Sequence, residues 1–455
     1  MSTFHLLNFG CRASQADGAA IKKQLLDAGL REVQNAEQSC VAVLNTCTVT
    51  ASADAEVRQM IRRIHRANPK CRILVTGCYA QRAPDEIAQL AGVAWVMGNS
   101  HKHTVAELLT ATLGEVQGGD ATAKSPVNIK VGKISDEFHF APVFPDDRTR
   151  PTVKVQDGCD ARCSFCIIPE VRGSSRSLHP ETVIEQILQL ASAGFKEIVL
   201  SGINLGSYGR DLDRRINFLG LLERILGETS MARIRISSIE PMDVSSELIR
   251  LVAGESRMAQ HFHVPLQSGC DRILRQMNRR YWTRQYAARI NSIREQIPDC
   301  GIGADVMVGF PGESDQDQLT SIRFLESLPM TYVHVFPYSS RPNTPAAMRL
   351  DQVNGRIAHE RGREIRQLIA EKRETFLAAQ VGRSLSVLTL DENVDGVQVA
   401  LTSNYLKVAL PGSNVARNTL LDVQVGRANE GLLYGYPNEG AFPGPGELIS
   451  IQAQC

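Results

Sequence analysis

The chain has 455 residues, enough for about three domains, each with its own core. At 43% hydrophobic and 22% charged it has the composition of a globular protein, and no apolar run nears the ~20 residues of a membrane span, so no membrane partner is expected. A net charge of +1 excludes a uniformly basic nucleic-acid binder; any such binding must come from local basic stretches.

The start, MSTFHLLNFGC, lacks the basic n-region of a signal peptide, which makes a cytoplasmic location the expectation. In that reducing compartment the eleven cysteines are read as metal-binding or catalytic rather than as a disulfide framework. Residues 1–115 run as strand-then-helix units: FHLLNF before ADGAAIKKQLLDAGL, CVAVLN before ASADAEVRQMIRRIHRANP, and RILVT before PDEIAQLAG. Apolar strand runs alternating with periodic helices predict a parallel sheet whose strands end on one edge.

From 116 the chain turns rich in Gly, Pro and charge (GGDATAKSP, later PVFPDDRTRP), and 116–144 is assigned as a linker. Residues 145–378 repeat the alternation, through RPTVKVQ, EIVLSGIN, RIRISSIEP, HFHVPLQSG, GIGADVMVGFPG and YVHVFPYSS. Six such units are too few for a closed eight-strand barrel, so an incomplete parallel barrel is expected, with function at the C-terminal ends of its strands. A long charged helix follows. In 379–455 the runs SLSVLTLDE, GVQVALT, YLKVAL, LLDVQVG and ELISIQA are short and alternating, which predicts a small all-β barrel. The fold class is therefore α/β with a C-terminal β-domain.

Cys11, Cys47 and Cys78 each lie just past one N-terminal strand, so parallel strands would deliver all three to one edge. Cys40 and Cys71 precede strands and belong, at ~3.3 Å per residue, some ~20 Å away. Cys159, Cys163 and Cys166, in DGCDARCSFCIIP, have the spacing C-x3-C-x2-C at another strand end. No second C-x2-C knuckle occurs to complete a zinc ribbon, so the trio leaves the fourth ligand position of a metal centre open.

The C-x3-C-x2-C spacing resembles the signature of radical S-adenosylmethionine enzymes. With FGC, NTCTVT, TGCYAQ, SGIN, ISSIEP, HVPLQSG, ADVMVGFPGE and FPYSSRPNTPAA included, nearly the whole chain resembles the methylthiotransferase family. NTCTVT, GCYAQ and YSSRPNTPA are most similar to the branch that acts on N6-threonylcarbamoyladenosine at position 37 of tRNA. The branches acting on isopentenyladenosine and on a ribosomal protein are near neighbours. The first motif departs from the family's GCKxNQ, with Arg12 and Ser14 replacing Lys and Asn, which leaves the role of that asparagine open.

The resemblance implies two [4Fe–4S] clusters, one on Cys159, Cys163 and Cys166 and one on Cys11, Cys47 and Cys78. S-adenosylmethionine would take the open iron of the first cluster and be cleaved to a 5′-deoxyadenosyl radical. That radical would remove the adenine C2 hydrogen, beyond the reach of a side-chain base, for replacement by methylthio; a second S-adenosylmethionine would methylate sulfur held at the other cluster. Gly202, Asn204, Glu240, Gln267 and Asp305, read as closing barrel strands, are expected to bind the cofactor. The remaining implied partners are a tRNA anticodon loop, a flavodoxin- or ferredoxin-type electron donor, a sulfur source, and RNA held by a TRAM-like C-terminal barrel.

Other residues have plainer readings. His261 and His263 form H-x-H on a strand and read as a polar layer in the barrel; Cys270 reads as a buried thiol at a helix start. The stretch RILRQMNRRYWTRQYAARINSIR (272–294) carries seven arginines around Tyr281, Trp282 and Tyr286 and suits unpaired bases. RQMIRRIHR (58–66) is a second basic candidate. A non-catalytic iron–sulfur RNA-binding protein is the competing class; it would need no S-adenosylmethionine.

Overall fold

The computed structural model describes residues 2–115, 126–135, 148–213, 216–413 and 415–438. The N-terminal sheet comprises β1 (Thr3–Asn8), β2 (Arg31–Glu32), β3 (Val41–Thr46), β4 (Arg72–Gly77), β5 (Val93–Gly98) and β6 (Asn128–Lys130). All six are parallel, in the order β2-β1-β3-β4-β5-β6. β3 is buried at every residue, as expected of a parallel strand covered on both faces. Helix α1 (Arg12–Asp27) follows β1, α2 (Ala51–Ala67) follows β3, and α3 (Cys78–Arg82) starts directly after β4. β2, β5 and β6 were not anticipated from the sequence. β6 comes from the stretch read as linker and extends the sheet by pairing with β5.

The second unit opens with β7 (Thr152–Lys154), then β8 (Gln156–Asp157) and β9 (Arg176–Ser177), which pair with each other in an antiparallel sense. β10 (Glu197–Ser201), β11 (Arg233–Ile236), β12 (His261–His263), β13 (Gly301–Val308) and β14 (Tyr332–Pro337) follow, separated by helices. β7-β10-β11 and β12-β13-β14 are parallel triples, and isolated parallel bridges such as Ser238 to His263 join them into one incomplete barrel. Its apolar residues form the largest core cluster of the molecule.

The helix Gly355–Ala378 leads to the third unit. There β15 (Ser384–Val394), β16 (Val397–Thr402), β17 (Lys407–Ala409), β18 (Leu420–Asn429) and β19 (Leu432–Pro437) close a barrel in the order β15-β16-β17-β19-β18. The expected all-β domain is present, with one change: its fifth strand is LLYGYP, while ELISIQA lies outside the described residues. Among the described residues no helix is long and apolar enough to cross a membrane.

The units are tied by buried polar contacts. Arg235 on β11 donates to Glu197 (2.7 Å) and to the carbonyls of Thr402 (3.0 Å), which ends β16, and of Ser403 (2.9 Å), which follows it. Between the first two units Asp17, Asp157, Lys102, Lys154 and Arg172 form a buried ionic cluster. Burial works against ionising Asp17 and Asp157, but the cations outweigh it and hold both carboxyls well below the usual range.

Candidate active site

β1, β3 and β4 are adjacent in the sheet, so their C-terminal ends present Cys11, Cys47 and Cys78 side by side. The approach is close at Gly10: a Cβ there would stand 2.3 Å from Cys47 Cβ, and its φ of +95° suits glycine alone. Burial, with Cys78 and Cys11 beside it, pushes the Cys47 thiol up to about 12. Asn99 donates to Cys78 Sγ at 3.4 Å, and the Val49 amide to Cys47 Sγ at 3.5 Å. Cys40 and Cys71 stand at the starts of β3 and β4, beside Thr3 and Ser39.

Ser14, where the family has asparagine, is buried 3.6 Å from Cys11 Sγ and accepts a hydrogen bond from Arg172 (3.3 Å). Arg172 is itself buried and held by Asp17 and Asp157, so a fixed positive charge backs this cysteine set. Its sequence position, far beyond the first unit, gave no sign of that role.

Cys159, Cys163 and Cys166 line the loop after β8. The loop is pinned by the Cys159 amide on Gly173 O (3.0 Å), the Cys166 amide on Cys163 O (3.1 Å), and the Ala161 amide on Cys159 Sγ (3.4 Å). Burial pushes the Cys166 thiol up to about 12. Arg279 donates to Cys163 Sγ at 3.2 Å and pairs with Glu240, so it is a site residue rather than part of a basic RNA face. Burial raises the Glu240 carboxyl despite that partner.

A cavity of about 590 Å³ joins the two cysteine sets. It is lined by Cys11 and Arg12 from the first unit, by Cys159, Cys163, Cys166, Gly202, Asn204, Glu240, Gln267 and Asp305 from the second, and by Tyr405 from the third. Of the first cysteine set only Cys11 lines it; Cys47 and Cys78 are buried and do not. Gly202 and Asn204 follow β10, and Gln156 accepts the Asn204 amide at 2.8 Å. Glu240 and Gln267 lie beyond β11 and β12, as expected.

Asp305 is placed differently from its reading as a strand end: it lies inside β13, which continues to Val308. Alternation brings it to the same inward face as Gly303, whose missing Cβ leaves room for the Tyr332 ring. Asp305 meets His263 at 3.1 Å, while His261 and His263 reach the Tyr332 hydroxyl at 2.7 and 3.0 Å. The H-x-H pair is thus the polar layer expected. Cys270 is buried and bonds Asp317 (3.2 Å), outside the cavity.

The 272–294 stretch is corrected more strongly. Tyr281 and Tyr286 are buried, their hydroxyls donating to the carbonyls of Leu266 (2.7 Å) and Val264 (2.8 Å); Tyr286 belongs to the apolar face that the helix Thr283–Gln296 turns to the barrel, and Tyr281 lies just before that helix. Arg272 pairs with Asp317, and Arg294 donates to Pro329 O. Trp282 (44% exposed), Arg275, Arg280 and Arg284 remain at the surface.

A barrel of six parallel strands with three cysteines at its C-terminal edge, facing a second three-cysteine domain, defines a radical S-adenosylmethionine enzyme with an added cysteine-bearing α/β unit. Residues 3–98 match uncharacterized protein family UPF0004, and residues 153–325 match the Radical SAM superfamily. Threonylcarbamoyladenosine tRNA methylthiotransferase MtaB of Aquifex aeolicus (strain VF5) is 37% identical over 89% of this chain and 95% of its own. tRNA-2-methylthio-N(6)-dimethylallyladenosine synthase of Pelotomaculum thermopropionicum is 33% identical over 87% of this chain and 88% of its own. The radical S-adenosylmethionine methyltransferase TsrM of Kitasatospora setae shares the fold, with a TM-score of 0.55 at 15% identity over 76% of this chain and 77% of its own. The chain belongs to the radical S-adenosylmethionine methylthiotransferase family.

Membership implies S-adenosylmethionine and a [4Fe–4S] cluster, and the residues present fit them. Three soft thiol donors suit a cluster that keeps one iron open. Among the described residues no three His, Cys, Asp or Glu are set to hold a single metal ion. Asn204 Oδ1, Ser237 Oγ and Gln267 Oε1 are buried without a protein partner in residues that line the cavity, as polar atoms awaiting a ligand would be.

Proposed function

We propose that this enzyme methylthiolates C2 of N6-threonylcarbamoyladenosine at position 37 of tRNA, using two [4Fe–4S] clusters and two S-adenosylmethionine molecules. The observation that carries the reading is that Cys11 and the Cys159/Cys163/Cys166 loop line one cavity, so a base bound there lies between two cysteine sets. The name of the Aquifex relative supports the choice of nucleoside. When bound, the cofactors supply a carbon radical able to take an unactivated hydrogen and a sulfur to replace it, chemistry no side chain here can perform.

The chain's own residues hold and orient. Cys159, Cys163 and Cys166 would hold one cluster, and Cys11, Cys47 and Cys78 the other. Burial raises the Cys47 and Cys166 thiols, and as cluster ligands both would be held as thiolates. Arg279 steadies Cys163 and fixes Glu240 for the cofactor. Gly202, Asn204, Gln267 and Asp305 supply the remaining cofactor contacts. Adenosine 37 lies in a single-stranded loop, so presenting its C2 edge needs less unstacking than a duplex would. Electrons come from a flavodoxin- or ferredoxin-type donor and sulfur from an external source.

The test is anaerobic incubation of reconstituted enzyme with S-adenosylmethionine, reductant and tRNA carrying N6-threonylcarbamoyladenosine, followed by nucleoside mass spectrometry. The expected product has methylthio in place of one hydrogen and is absent with Cys163→Ala or Cys47→Ala. Formation of 5′-deoxyadenosine with untouched tRNA would overturn the substrate and point to isopentenyladenosine tRNA or a ribosomal protein.

A further inference from the structure

We propose that Arg12 is the specificity residue of this site, pairing with the free carboxylate of the substrate's threonyl group. The inference rests on the threonylcarbamoyladenosine reading above and names the group that recognises its charge. The other arginines lining the cavity are already engaged, Arg235 by Glu197 at 2.7 Å and Arg279 by Glu240, and the His263 ring is held by Asp305 at 3.1 Å. Asp391 and Glu392, which share an adjoining groove with Arg12, pair instead with Arg417 (3.0 Å) and Lys407. Among the described residues Arg12 has no carboxylate partner. Its guanidinium donates to the Tyr405 hydroxyl at 3.2 Å, which leaves further N–H donors for a planar, bidentate acceptor.

Tyr405 is built to hold that arginine. It occupies the left-handed region (φ +70°), a strained placement for a tyrosine. Its ring stands 4.5 Å from that of His261 and 5.7 Å from that of Tyr332, with the Arg235 guanidinium 5.3 Å above it. His261 and Tyr332 begin β12 and β14, at the opposite end of the strands from Asn204, Glu240 and Gln267. Arg12 therefore reaches into the cavity beside Cys11 and away from Asn204, Glu240 and Gln267, with Asp305 linked to the Tyr332 side through His263. A threonylcarbamoyl group adds a carboxylate that an isopentenyl group lacks, so one unpaired guanidinium distinguishes the two nucleosides.

The experiment compares anticodon stem-loop RNAs bearing N6-threonylcarbamoyladenosine, its carboxylate methyl ester, or adenosine at position 37, binding to reconstituted wild type, Arg12→Gln and Arg12→Lys. Wild type is expected to prefer the free acid over the ester by about ten- to a hundredfold, as for a hydrogen-bonded charge pair. Arg12→Gln brings that ratio close to one, and Arg12→Lys restores part of it. Equal weakening of all three RNAs by Arg12→Gln would assign Arg12 to a phosphate and overturn the proposal. Weakened S-adenosylmethionine binding without RNA would assign it to the cofactor carboxylate, and an unchanged ratio would place recognition elsewhere; both overturn it. In these three outcomes the nucleoside reading stands if the free-acid RNA is methylthiolated. A wild-type ratio of one overturns the site with no variant needed, and the nucleoside reading also falls if that RNA is not modified.

Discussion

Arg341 of the loop after β14 and Asp54 of α2 meet at 2.7 Å across the boundary between the barrel and the N-terminal unit, each side chain 5% exposed. Asp54 also takes Arg82 (2.9 Å) and the hydroxyl of Thr48 (2.6 Å), while Arg341 donates to the Thr48 carbonyl (3.2 Å). Thr48 follows Cys47, so a residue from YSSRPNTPA fixes the loop of a cysteine nearly three hundred positions earlier. Asp54→Asn leaves the buried Arg341 without its carboxylate, and Arg82 with only its longer contact to Glu86 (3.7 Å), and is expected to destabilise by about 3–5 kcal/mol. Arg341→Met should cost less, because Arg82 still neutralises Asp54. Denaturant midpoints of the two variants check the order; the reverse order would mean that Arg341 acts mainly through Thr48.

Gly10→Ala is expected to abolish loading of the N-terminal cysteine set while sparing the barrel set. The added methyl would meet Cys47 in a backbone conformation that alanine resists. Iron and sulfide per chain should fall to about half of wild type after anaerobic reconstitution. Full loading would show that the loop can move aside.

His261 governs stability in mild acid. Burial holds its imidazole well below the usual value, with Arg235 and His263 adding to the effect, so the folded chain keeps it neutral where the unfolded chain protonates it. Stability contributed by the neutral ring is intact above the unfolded pKa of ~6.5 and declines as pH falls below it, by about 1.4 kcal/mol per pH unit. His261→Gln should flatten the dependence of the denaturation midpoint on pH between about 6.5 and 5. A wild-type profile already flat over that range would refute the assignment.

Trp282, exposed and flanked by Arg280 and Arg284, is the aromatic of its stretch still free to stack on a base. Trp282→Ala should weaken tRNA binding by about 1–3 kcal/mol. Tyr286→Ala should instead lower stability, since that ring is fully buried. Filter binding and thermal melting of the two variants separate these effects.

The cysteine sets were legible in the sequence because a parallel sheet converts position along the chain into position at an edge. Once β1, β3 and β4 are strands, Cys11, Cys47 and Cys78 must gather and Cys40 and Cys71 cannot join them. The C-x3-C-x2-C loop needed even less, being local. The barrel strands were legible for the same reason, as apolar runs between periodic helices. β6 and the strand LLYGYP were not: the first is a short, exposed edge strand in a stretch of loop composition, and the second breaks its apolar run with Gly435 and Pro437.

What the sequence by itself determined is therefore the grouping of the cysteines and the order of the three units, since spacing and period fix both before any packing. Tertiary structure alone decided which charges and rings enter the cavity. Arg279 reached Cys163, Arg172 backed Cys11, Arg12 met Tyr405, and Tyr281 and Tyr286 turned inward. Each of these depends on which face of an element finds apolar cover and on which buried charge finds a counter-charge. Burial and pairing of that kind arise between segments far apart in the chain, where no local pattern records them.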